Sequence, residues 1–85
     1  MTSTVSEWRE TDRRRVLRVG DIVRVTGERG CTGRIHRIDP DVPFGDFGTE
    51  CQVTLWTRGG WRTFVADRIG RRVHKAGTTE AQAWV

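Results

Sequence analysis

The sequence predicts an all-β fold: five short strands curled into one small barrel, with a single 3₁₀ turn before the last strand. Three observations lead there. Val23 and Val25 alternate with Ile22 and Arg24, and Ile35 sits between Arg34 and His36, the two-residue period of half-buried strands. Glycines at 27, 30 and 33 punctuate the link between these runs and supply the backbone freedom a tight, twisted connection needs. Further on, Cys51-Gln52-Val53-Thr54-Leu55-Trp56 and Trp61-Arg62-Thr63-Phe64-Val65 flank Arg58-Gly59-Gly60, the pattern of a hairpin. The chain has 85 residues, enough for one domain and close to the lower limit for a self-sufficient core.

Taken in order, residues 1–17 read as a flexible basic arm, which after Met1 has only Val5 and Trp8 as large apolar side chains before Arg13-Arg14-Arg15. The barrel spans 18–75. Its first hairpin covers 20–39. Residues 40–49, with two prolines and two Phe-Gly pairs, read as a structured loop. The second hairpin follows, then residues 66–70 as a 3₁₀ turn ended by glycine, and 71–74 as a short closing strand. Residues 76–85 read as a flexible tail. Alternation assigns Val23, Val25, Ile35, Val53, Leu55, Phe64, Ile69 and Val73 to the core. Trp56 has the parity of Gln52 and Thr54, so it falls on the outer face, where Trp61 can pair with it across the turn.

The stretch from 19 to 39, about a quarter of the chain, resembles the KOW motif of the SH3-like small barrels. Gly33-Arg34-Ile35 stands where that motif has its signature glycine and following apolar residue. The loop departs from the pattern: Gly27 and Gly30 are one residue closer than usual, and Arg29 and Cys31 replace the customary lysines. The resemblance implies a five-stranded SH3-like barrel, a fold used both for RNA binding and for protein docking.

Charge is distributed in blocks. The net charge of +4 divides into −2 for residues 1–12, +5 for 13–39, −3 for 40–57, +5 for 58–75 and −1 for 76–85. Nearly every basic residue is arginine, which suits planar bidentate contact with phosphate or carboxylate. Codon bias in a GC-rich genome accounts for arginine over lysine but not for the blocks.

Catalytic and metal motifs fail on inspection. Residues 39–50 place acids at the first, third and twelfth positions of a calcium loop, but proline and phenylalanine occupy positions five and six. Cys31, His36, Cys51 and His74 lack zinc-finger spacing. The glycine-rich stretch 27–33 precedes a strand, where phosphate loops require a helix. Cys31 and Cys51 fall at opposite ends of paired strands and read as free thiols. No apolar run is long enough to cross a bilayer as a helix, and the N-terminus lacks the basic start and apolar core of a secretory signal, so the expected location is cytoplasmic.

The expected function is therefore a non-enzymatic binding module without metal, cofactor or small-molecule substrate. Arg29, Arg34, His36, Arg37, Arg58 and Arg62, with Trp56 and Trp61 as stacking surfaces, are the candidate nucleic-acid interface for RNA or DNA. The alternative is a protein-docking module, a small regulatory or phage-encoded factor that sits on a larger complex such as a polymerase or ribosome. Phe44, Phe47, Trp56 and Trp61 would then be its apolar anchors. The plainer reading folds Phe44 and Phe47 back to cap the barrel.

Overall fold

The computed structural model describes residues 3–10, 15–29, 31–46 and 48–74, without the side chains of residues 71, 72 and 74. Seven strands follow one another: β1 (Glu7–Glu10), β2 (Arg15–Arg18), β3 (Ile22–Val25), β4 (Thr32–Pro43), β5 (Thr49–Thr57), β6 (Gly60–Val65) and β7 (Ile69–His74). A 3₁₀ turn, Ala66–Arg68, joins β6 to β7 as the sequence predicts. Five strands form one antiparallel sheet in the order β6-β5-β4-β3-β7, curled into a half-barrel. β1 and β2 make a separate hairpin.

The concave side carries the core. Val23, Val25, Ile35, Val53, Leu55, Phe64 and Ile69 are buried together as alternation predicts, joined by Leu17, Ile38 and Ala66. Val73 is only partly buried. Ile38 enters because β4 carries an extra residue at His36: Ile35 faces Leu55, but Arg37 already faces Thr54. That bulge resets the phase of the strand, so Ile35 and Ile38 both point inward while His36 and Arg37 both point out. A second irregularity between Asp39 and Val42 accommodates Pro40, which has no N–H to give a ladder. β4 therefore runs through positions where a loop was expected.

Gly33 is buried between β3 and β5, facing Val23 on one side and Thr57 on the other. A Cβ there would lie 2.9 Å from Leu55 Cβ, Thr57 Cγ2 and the Trp56 carbonyl oxygen. Close approach, and not a positive φ, is what demands glycine. Gly27 does have a positive φ of 83°, which the turn after β3 requires.

Residues 5–10 and 15–17 of the N-terminal arm are paired and packed on the sheet, not the flexible segment that composition suggests. Val5 N–H donates to the Ile38 carbonyl at 3.0 Å, and Val19 N–H to the Ser6 carbonyl at 2.9 Å. Trp8 faces Leu17 across the hairpin, and Leu17 is buried while Val5 and Trp8 pack against the core. The physical reason is the half-barrel itself: past Arg34, β3 has ended and β4 keeps an edge that Gly20, Asp21 and Val5 occupy. One charged pair completes the dock. Arg15 Nε meets the buried Glu10 carboxylate at 2.6 Å, and its other nitrogens donate to the Gly70 and Ala66 carbonyls at 2.6 and 3.2 Å. Arg15 thus ties the hairpin to the 3₁₀ turn and β7. Arg13, Arg14 and the 76–85 tail lie outside the described residues.

Candidate nucleic-acid interface

Cross-strand register assembles the candidate residues on the convex face. Ile22 of β3 faces Arg34 of β4, Arg34 faces Trp56 of β5, and Trp56 faces Trp61 of β6. Arg34, Trp56 and Trp61 therefore form one row across three strands, with side chains opposite in parity to the core, and the fully buried Ile22 closes its end. The two-residue turn at Arg58-Gly59 fixes the end of this row. Thr57 Oγ1 accepts from Gly59 N–H at 3.1 Å and donates to the Gly60 carbonyl at 2.8 Å, and Gly60 takes a φ of 101°.

Trp61 is the centre of an aromatic group. Its ring centroid is 4.6 Å from that of Trp56, tilted by 58°, and 4.6 Å from that of His36, tilted by 56°. Tilted rings at this spacing favour one another electrostatically. His36 reaches Trp61 from two strands away because the β4 bulge turns it outward. Trp61 is 57% exposed and Trp56 36%, so the paired rings still present surface to solvent. Val19, Gly20, Arg34, Ile35 and His36 complete a depression of about 410 Å³ with them. A second depression of about 470 Å³ shares Val19 and His36 and adds Thr4, Val5, Ser6 and Arg37. Of the exposed large apolar residues among those described, Val19, Trp56 and Trp61 meet here and only Phe44 lies elsewhere.

The polar members are held in place. Arg34 Nη1 donates to the Gly20 carbonyl at 2.8 Å. Arg37 donates to Asp39 Oδ1 from Nε and Nη2, both at 3.1 Å, and offsets a carboxylate that is largely buried. In the next row Arg37 faces Thr54 and Thr54 faces Thr63, whose hydroxyls meet at 3.2 Å. Aromatic rings, hydroxyls and guanidinium groups thus alternate over the face, a surface suited to stacking beside hydrogen bonding.

Other predicted site residues fall elsewhere. Arg62 faces Leu55 and so belongs to the opposite side of the sheet, where it lies 4.9 Å over the Phe64 ring and pairs with Glu28 at 3.6 Å. Trp61 and Arg62 are neighbours in sequence, so along an extended strand they point to opposite faces. Arg29 is exposed in the β3–β4 loop, beside a different depression. Arg58 is exposed in the β5–β6 turn. Phe44 is 59% exposed and does not cap the barrel. It follows the far end of β4, more than about 20 Å from the tryptophans by strand rise, so Phe44 and the tryptophans do not make one docking patch. Phe47 lies outside the described residues. Val19 was missed: a valine before a Gly-Asp turn has no surface signal until the turn is placed against β4.

The Cys51 thiol is a poor nucleophile. Both cysteines are free and partly buried. Cys51 is pushed from its ordinary 9.0 up to about 11, first by burial and then by the charges of Asp39, Asp41, Glu10 and Asp67, which hold it protonated at neutral pH. Among the described residues, no three His, Cys, Asp or Glu side chains gather as a metal-holding group, and no helix is long and apolar enough to cross a membrane. Comparison with protein-family models, curated proteins and solved structures finds no match to this chain.

Proposed function

We propose that this protein is a cytoplasmic, non-catalytic module that binds single-stranded RNA or DNA on the convex face of its sheet, and that the half-barrel belongs with the KOW-like, SH3-like small barrels. One observation supports this most: the His36–Trp61–Trp56 ring group is partly exposed and flanked in register by Arg34 and Arg37. Exposed rings stack on unpaired bases at roughly 1–3 kcal/mol per base. Adjacent guanidinium groups bind phosphate through charge-assisted hydrogen bonds. A sequence pI near 10.4 favours encounter with a polyanion.

Protein docking is the second reading, favoured by the internal acceptors that already hold Arg34 and Arg37. Titration of single-stranded oligonucleotides across a salt series separates the two. Trp61→Ala should cost roughly 1–3 kcal/mol with an unchanged slope of log K against log salt. Arg34→Gln should flatten that slope by about 0.7. If wild-type protein binds no oligonucleotide below about 100 μM in low salt, the usual non-specific range, docking replaces the nucleic-acid reading.

A further inference from the structure

The described arginines divide into held and unheld. Arg15, Arg18, Arg37, Arg62 and Arg68 each meet a carboxylate, and Arg34 and Arg58 are engaged within the molecule. The guanidinium groups of Arg9, Arg24 and Arg29 have no hydrogen-bond or ion-pair partner among the described residues, and the last two line a depression of about 600 Å³ with Thr26, Gly27, Glu28 and Gly70. We propose that this depression is a phosphate-binding subsite that adjoins the aromatic row and takes the next phosphate group of a strand stacked there. The nucleic-acid source rests on the function proposed above; the anion chemistry does not.

Position argues for the connection. Arg24 faces Thr32, two residues before Arg34 on the same strand, so Arg24 and Arg34 are diagonal neighbours on the convex face. Such neighbours have backbones about 7–8 Å apart, within reach of consecutive groups on one extended polyanion. One wall is formed where β7 packs tightly on β3. β7 has an extra residue opposite Val23–Val25, and a Cβ on Gly70 would lie 2.8 Å from the Arg24 carbonyl oxygen and 3.3 Å from Thr26 Oγ1. Gly27 adds a second side-chain-free stretch with its positive φ. Glu28 lines the depression too, but its carboxylate is taken by Arg68 at 3.3 Å and Arg62 at 3.6 Å. The two unheld guanidinium groups therefore set the sign of the site, and a planar fork suits a tetrahedral oxyanion.

The test uses inorganic phosphate and oligothymidylates with full-length wild type and the Arg24→Gln/Arg29→Gln double variant. Because neither arginine has an internal partner, the variant should melt with wild type. Millimolar phosphate should shift the amide resonances of Gly27, Arg29 and Gly70 in wild type and leave those of the variant still; unmoved amides in wild type overturn the subsite, even if oligonucleotides bind. For an oligonucleotide of about eight residues, the variant should lose roughly tenfold or more in affinity at low salt, and its salt slope should fall by about 1.4, from two lost contacts of about 0.7 each. A dinucleotide, which covers only the rings, should bind both proteins alike. Phosphate shifts with equal affinity of both proteins for the longer strand would make this a site for free phosphate groups and overturn its link to the aromatic row. Phosphate shifts with no oligonucleotide binding to wild type would sustain the anion site and defeat the nucleic-acid reading instead.

Discussion

Gly33 sits where three heavy atoms of β5 already lie at 2.9 Å from any Cβ placed on it. Overpacking of this kind costs roughly 1–3 kcal/mol, so Gly33→Val should lower the melting temperature clearly, and an unchanged melt would contradict the close packing of β4 on β5. The glycine was legible in the sequence, but its reason was not, since close approach depends on which strand lies opposite. Trp56 was placed on the outer face by parity alone, and the register agrees. His36 and Arg37 could not both be placed outward by parity, because the bulge that turns them out interrupts the period on which such an inference rests. Cys51 carries a pH signature. Its folded-state pKa is raised from 9.0 to about 11, so between those values the unfolded chain has released a proton that the folded chain keeps. Stability should therefore be fully present below pH 9 and fall as pH rises toward about 11. Cys51→Ala should remove this component of the decline, which denaturant midpoints measured across that range would reveal.

The elements that alternate strongly were legible in sequence: β3, β5, β6 and the 3₁₀ turn fall where the pattern puts them. β1 and β2 were not. A hairpin with Val5, Trp8, Val16 and Leu17 as its apolar residues lacks a core of its own, and its order depends on the sheet edge and apolar side that β4 leaves uncovered. Arg15 illustrates the same dependence: within a run of three arginines it reads as electrostatic, yet it bridges Glu10, Gly70 and Ala66. Deleting residues 1–10 should therefore lower the melting temperature strongly, because it exposes Leu17 and leaves the half-buried Arg15 without its carboxylate. Removing one partner of a fully buried ion pair costs roughly 3–5 kcal/mol, an upper bound for this pair. A truncated protein that melts with wild type would show that the hairpin adds nothing to the fold.

On the scale of the whole molecule, the sheet has two unlike sides. Its concave side is closed by the N-terminal hairpin and carries the core; its convex side carries the aromatic row, Arg34, Arg37 and the diagonal neighbour Arg24. The block pattern of charge was visible in sequence, but it combined residues that the fold separates, Arg62 among them, and omitted Val19, which only the turn before β3 brings to the rings. The most direct test of the central claim is ultraviolet cross-linking of the full-length protein to a single-stranded oligothymidylate, with the modified residues identified by mass spectrometry. The convex-face account predicts cross-links at Trp61, Trp56 and His36 that vanish with excess unlabelled strand. Cross-links confined to Phe64 and its neighbours on the opposite side, or none while binding persists, would contradict it.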